Sequence, residues 1–329
     1  ESGLPALFVT SYVDQQMLAE AKGMDAVGYV LKPFDDRELV VAVEMAMHRW
    51  QIEEALRKAL HAAEGEPAAA EAPTEAAGPE LEIRVLGRLE IAIGGRIVAR
   101  SEDLSRTLRS LLGLIMTSQQ LRMGQEEVQL ALWPESPPER ARSSFDSLLL
   151  RLRRTLDPLL QPHSIRSFLL LQRGILFLRN CRVDAAEFIL SARRGLELAK
   201  RGRNQEAMEA FAAAFRLWEG SFALTNSEVD RLREFDDLLE RLHLDLVLRW
   251  SELLAADGDS ETACEILSRA LAGDRTNDAL VKALYSNCLR QKNTLKAAEV
   301  LRQYEDALHR AGFTGREIRD ALAGITASA

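Results

Sequence analysis

The chain has 329 residues, 47% hydrophobic and 28% charged, which suits two or three globular domains with sizeable cores. No apolar run approaches the ~18 residues that span a bilayer, and Glu1-Ser2-Gly3 does not open a signal peptide, so a cytoplasmic protein with no membrane partner is expected. The net charge of −8 argues against indiscriminate nucleic-acid binding, but it is unevenly spread: residues 81–180 hold 15 Arg, no Lys and 10 Asp plus Glu, leaving the rest at −13.

Ala6-Leu7-Phe8-Val9 is a short apolar run of the kind found in buried parallel strands. A helical stretch follows, then a second run from Gly28 to Leu31 that ends at Lys32-Pro33. Asp35 or Asp36 can cap another helix with Leu39, Val43 and Met47 on its apolar face. Strand, helix, strand, helix implies a parallel α/β sheet over residues 1–62. Residues 63–80 are almost entirely Ala, Glu and Pro, cannot pack a core, and read as a linker.

From residue 81 the texture changes. Leu81–Leu86 and Leu89–Ile93 read as short strands, with a turn at Gly94-Gly95. Helices are expected over about 102–118, 124–133 and 137–156, then strands over 165–171 and 175–178 flanking a tip at Gln172-Arg173-Gly174. The helix over 137–156 has two distinct faces. Ala141, Phe145, Leu148, Leu152 and Leu156 form an apolar stripe, while Arg140, Ser143, Ser144, Ser147, Arg151 and Arg154 lie opposite at offsets of three and four. Ser136 can cap it, Pro137 and Pro138 suit its first turn, and Asp146 projects aside, where Arg142 can pair with it. A merely solvated face would mix Glu, Lys and Gln. Arginine forks among small hydroxyls instead suit guanine edges and phosphates at close approach.

From Val183 onward the pattern is helical, with turns near Gly202, Gly220, Asp257-Gly258 and Asp274. Residues 265–274 and 300–312 are weakly alike, and Ala263 and Ala297 stand about 34 residues apart, a period that suggests stacked helix pairs of tetratricopeptide type. Trp218 and Trp250 read as core anchors; Asp230, Glu234, Asp236 and Asp237 read as a solvated acidic face.

Three resemblances attach to these residues. LPALFVTSY with GYVLKPFDDREL resembles the last two strands of response-regulator receiver domains. That resemblance implies a partial receiver in which Thr10, Tyr29 and Lys32 are the switch residues that answer a phosphorylated aspartate, with a cis bond before Pro33. The acceptor aspartate and acidic cluster of that family lie in the half preceding this stretch, so a truncated product that cannot be phosphorylated by that route is expected. LEIRVLGRLEIAIGGRIV, ALWPESPPERARSSFDSLLLRLRRTL and the later hairpin resemble the winged-helix DNA-binding domain of OmpR-type regulators, and more closely that of the Streptomyces antibiotic regulatory proteins. That resemblance adds Arg173 at the wing tip as a backbone or minor-groove contact. VDAAEF, LWEGSF and AAEVLRQYEDAL resemble the bacterial transcriptional activator domain that follows this winged helix, over residues 181–325.

The expected architecture is thus mixed and multidomain: a partial α/β receiver, an α+β winged helix over 81–180 and all-α tetratricopeptide-like repeats. The expected function is DNA-binding transcriptional regulation within a two-component phosphorelay. The implied partners are promoter DNA, a second copy, RNA polymerase and, for the full-length parent, a sensor histidine kinase. The alternative is a protein-interaction scaffold that uses the repeats without DNA. Nothing suggests an enzyme or a cofactor: there is no Gly-rich phosphate loop or nucleophile elbow, and His48, His61, His163, His243 and His309 are scattered. Cys181, Cys264 and Cys288 fit no metal spacing and read as reduced thiols without a role.

Overall fold

The computed structural model describes the backbone of residues 6–10 and 26–31, and residues 80–327 except 119 and 227. The chain divides into two compact units, residues 1–76 and 77–329. In the first, β1 (Ala6–Thr10) and β2 (Ala26–Leu31) pair in parallel, with Phe8 opposite Tyr29 and Thr10 opposite Leu31. The two apolar runs form the strand pair their composition predicts. Lys32 and its bond to Pro33, the side chains of Thr10 and Tyr29, the helices expected before the linker and linker residues 63–79 lie outside the described residues.

The second unit opens with a four-stranded sheet in the order β5-β4-β3-β9, built from β3 (Leu81–Arg84), β4 (Glu90–Ile93), β5 (Arg96–Arg100) and β9 (Cys181–Val183). β3 pairs antiparallel with β4 and parallel with β9. Gly94 and Gly95 make the β4–β5 turn with φ of 56° and 77°, the left-handed values a two-residue hairpin needs. Three helices follow: α1 (Arg106–Met116), α2 (Gln125–Leu132) and α3 (Pro138–Leu156). A second, antiparallel sheet, β6-β8-β7, joins β6 (Arg122–Gly124), β8 (Ile175–Leu178) and β7 (Leu169–Gln172).

Three local expectations are corrected. The helix expected from 102 begins at Arg106, because Ser101–Asp103 forms a separate 3-10 turn in which the Asp103 carboxylate accepts the Arg100 N–H at 2.7 Å. Ile165–Ser167 is likewise a 3-10 turn rather than strand. The Asp157 carboxylate fixes it by accepting the Ser164 hydroxyl at 2.9 Å and the Ile165 N–H at 2.8 Å. Ser136 does not cap α3: Pro137 is the N-cap residue, with no side-chain bond, and its carbonyl accepts the Ala141 N–H at 3.0 Å. A side-chain cap contributes about 1 kcal/mol, whereas burying each of Phe145, Leu148, Leu152 and Leu156 contributes roughly 1.5–3 kcal/mol. Packing, not capping, holds α3.

The rest of the unit, among the described residues, is α4 (Asp184–Lys200), α5 (Asn204–Leu217), α6 (Asp230–Ala256), α7 (Ser260–Gly273), α8 (Asp278–Arg290), α9 (Thr294–Arg310) and α10 (Gly315–Thr326). Successive helices pack on one another. The 34-residue period has a structural counterpart: Asp259 caps α7 through the Thr262 N–H, and Asn293 caps α9 through the Lys296 N–H. Trp250 is buried, while Trp218 is half-buried and stacks on His243 with ring centroids 4.2 Å apart. Of the acidic residues on α6, Asp236 is structural, accepting the Phe222 N–H at 2.9 Å and the Thr225 hydroxyl at 2.7 Å.

The expected boundary near residue 180 runs through a shared core. Asp184, the first residue of α4, accepts the Val85 N–H at 2.9 Å, the Leu86 N–H at 3.1 Å and the Ala185 N–H at 2.7 Å. Burial pushes this carboxyl up to about 6, against the three N–H donors and Arg84, so at neutral pH it is ionised and these bonds are charge-assisted. Nearby, Gly87 donates to the Ser221 carbonyl at 2.8 Å. Its φ is 85°, and a Cβ there would stand 2.8 Å from the Glu219 backbone, so only glycine fits. On α1, Arg106 binds Glu228 at 3.0 Å and Asn226 at 2.7 Å, and Gly113 lets Leu224 and Leu232 approach the helix directly. The three-helix portion is therefore fastened to the helical array at several separate points.

Candidate nucleic-acid interface

The inward face of α3 carries Ala141, Phe145, Leu148, Leu149, Leu152 and Leu156, all buried. Its outward face presents Arg140, Ser143, Ser147, Arg151 and Arg154 fully to solvent, with Ser144 half-buried at the edge. The structure thus brings six of the seven expected DNA-contacting residues onto one helix face. Thr107 of α1 and Trp133 just after α2 join Ser143, Ser144, Ser147, Leu148 and Arg151 in lining a shallow groove beside it. Neither Thr107 nor Trp133 was legible as a site residue, because each comes from a different stretch of sequence.

Arginine pairing differs between this face and the adjoining sheet and first helix. On the four-stranded sheet, Glu90 is nearly buried and gathers Arg84 at 3.4 Å, Arg88 at 3.3 Å and Arg100 at 3.5 Å. On α1, Arg109 donates to Ser101 at 2.6 Å and Arg106 is held by Glu228, so the two basic residues of that helix are spent internally. Among the described residues, by contrast, Arg140, Arg151 and Arg154 form no ion pair or side-chain hydrogen bond. Arg142 and Asp146 do not pair either, which corrects the expected i, i+4 bridge. The Arg140, Arg151 and Arg154 guanidiniums are thus exposed and available.

Leu150 adds an apolar side chain to this face that the sequence pattern did not mark. It follows Ser147 by three and precedes Arg154 by four, so it stands on the outward row, where it is 46% exposed. An apolar side chain there can meet a thymine methyl in a major groove.

Arg173 lies elsewhere, at the tip of the β7–β8 hairpin. Gln172 pairs with Ile175, and Arg173 and Gly174 make the two-residue turn with φ of 51° and 78°. Both values are those of a type I′ turn, which glycine adopts freely and arginine at a cost of about 1–2 kcal/mol. The exposed guanidinium makes no ion pair among the described residues. The next residue, Ile175, is 43% exposed and extends the tip with an apolar side chain.

Known proteins supply the context for this arrangement. Residues 183–315 match the bacterial transcriptional activator domain. This activator domain begins at the last residue of β9, immediately before Asp184, and runs to the start of α10. The transcriptional regulatory protein EmbR of Mycobacterium tuberculosis is 26% identical over 201 residues, covering 58% of this chain and 47% of that protein. The transcriptional regulatory protein FixJ of Bradyrhizobium diazoefficiens is 30% identical over 134 residues, covering 40% of this chain and 61% of that protein. The chain spans about half the length of EmbR. A solved structure of Mycobacterium tuberculosis EmbR in complex with low affinity phosphopeptide matches with a TM-score of 0.54 at 21% identity, over 76% of this chain and 66% of that one. The likeness is one of fold. No helix among the described residues is long and apolar enough to cross a membrane.

Proposed function

We propose that this chain is a DNA-binding transcription regulator in which residues 81–180 act as a winged helix. In this reading α3 enters the major groove and the β7–β8 hairpin is the wing. One observation carries it: Arg140, Arg151 and Arg154 share an exposed, serine-lined helix face with no internal partner among the described residues, whereas the arginines of the adjoining four-stranded sheet and α1 are held by internal partners. Holding bare guanidiniums side by side costs repulsion that phosphates and guanine edges relieve. Ser143 and Ser147 keep the helix surface low enough for backbone approach. Arg173 reaches an adjacent phosphate or minor groove, and the strain of its turn holds it at the tip. The relatives named as transcriptional regulatory proteins support the same reading.

Residues 1–62 are read as the C-terminal half of a receiver, with Thr10, Tyr29 and Lys32 as its switch residues; the parallel β1–β2 pair supports this. The helical array is read as tetratricopeptide-like stacking. The implied partners are promoter DNA, a second copy, RNA polymerase and, through the receiver, a sensor histidine kinase. Selection from a pool of randomised DNA duplexes tests the function. Enrichment of a defined sequence, lost in Arg151→Ala, is expected. A pool that stays unenriched would instead favour an interaction scaffold.

A further inference from the structure

Two of the three cysteines, far apart in sequence, meet where α7 packs on α8. Cys264 lies in the second turn of α7 and Cys288 in the last turn of α8; both are buried and neither is in a disulfide. Cys288 directly follows Asn287, in the turn of α8 that packs against the Cys264 sulfur. Two amide groups also point at the Cys264 sulfur, Asn287 Nδ2 and Gln291 Nε2, each at 3.4 Å. The same two amides donate to the Ser260 carbonyl at 3.1 and 2.7 Å, which fixes their direction. Asn287 is 1% exposed, one of few polar side chains buried in this array. Packing alone does not call for a buried amide at this place, since an apolar residue would fill the same volume without needing partners.

The two sulfurs are unequal. Cys264 has amide donors arranged to hold the negative charge that a sulfur carries while attacking an oxidant. Burial, aided by the neighbouring Cys264, pushes the Cys288 thiol up to about 11, so it stays protonated. Both lie about one turn from a helix end, where local opening costs least. The Gln291 side of the pair faces solvent.

We propose that Cys264 and Cys288 form a peroxide-responsive dithiol that closes to a disulfide tying α7 to α8. The Cys264 sulfur attacks one oxygen of hydrogen peroxide, the O–O bond breaks, and a sulfenic acid forms while the other oxygen leaves as water with the thiol proton. The Cys288 sulfur then displaces the sulfenic hydroxyl, which takes the Cys288 proton and leaves as a second water. The two sulfurs give up two electrons and the peroxide oxygens accept them. A thiol reductant reverses the closure.

The test exposes the full chain to increasing hydrogen peroxide, alkylates it in denaturant and maps it by mass spectrometry without reduction. The expected product is an intramolecular 264–288 cross-link, two hydrogens lighter than the parent, at doses that leave Cys181 alkylatable. Reductant should remove the cross-link. Cys288→Ser should abolish it and leave a Cys264 sulfenic acid that dimedone traps, while Cys181→Ser should leave it intact. Two thiols at 264 and 288 that survive doses already oxidising Cys181, or cross-links that run only through Cys181, would overturn the proposal.

Discussion

Asp184 shows how one side chain can join two parts of a fold. Its carboxylate serves N–H groups of Val85, Leu86 and Ala185, and no other acceptor stands in for it. Asp184→Ala leaves these donors without their acceptor and should cost about 2–4 kcal/mol, read by urea denaturation. His243 sets a pH dependence. It stacks on Trp218 and Phe215, and burial, helped by the Arg269 charge, pushes its pKa down to about 4. The unfolded chain then binds a proton below about pH 6.5 that the folded chain refuses until about pH 4, so stability falls as pH drops through that window, by up to about 3 kcal/mol. Asp184, pushed upward, has the opposite slope: its protonated form is favoured by folding, so it costs stability as pH rises from about 4 to 6. The wild-type profile is the difference between the two. His243→Gln should remove the histidine slope and leave stability falling with pH in that range; an unchanged profile would contradict the assignment. The Asp184 motif was visible in the sequence as VDAAEF. Its partners were not, because they lie about a hundred residues earlier.

Among the elements, α3 was the most legible and its surroundings the least. Its apolar stripe at helical spacing gave both faces and nearly both ends, since periodicity survives whatever the tertiary context. Leu150 belongs to neither the apolar stripe nor the arginine–serine row read from the sequence, although its register places it outward. The starts of α1 and β7 were misplaced because Ser101–Asp103 and Ile165–Ser167 have helix-like and strand-like composition but close single turns on nearby carboxylates. The α7–α8 thiol pair was invisible because its contact depends on helix packing rather than spacing. The wing turn separates stability from binding. Arg173→Gly relieves a left-handed arginine and should stabilise the fold by about 0.5–1 kcal/mol, while DNA affinity weakens and its salt dependence falls by about one phosphate contact. On α1, Gly113→Leu must push Leu232 and Leu224 aside, from Cβ distances of 3.0 and 3.2 Å, and should destabilise by roughly 1–3 kcal/mol in calorimetry.

At the scale of the molecule, residues 77–329 form one compact unit in which the proposed DNA-reading portion and the activator domain share a hydrophobic core. The sequence marked two textures, basic α+β and acidic helical, because composition and period change near residue 180. It could not reveal that backbone bonds from Val85 and Gly87 to the 221–223 segment, together with the Arg106 and Arg231 contacts, join them. Such an arrangement makes the helical array a fixed extension of α3 rather than a tethered neighbour. Whether the outward face of α3 binds DNA is read from the salt dependence of binding to a mixed-sequence duplex. Wild-type affinity should fall steeply with salt, and a double variant, Arg151→Ala with Arg154→Ala, should bind far more weakly with a slope shallower by up to about two phosphate contacts. A folded double variant with unchanged affinity and slope would contradict DNA binding by that face.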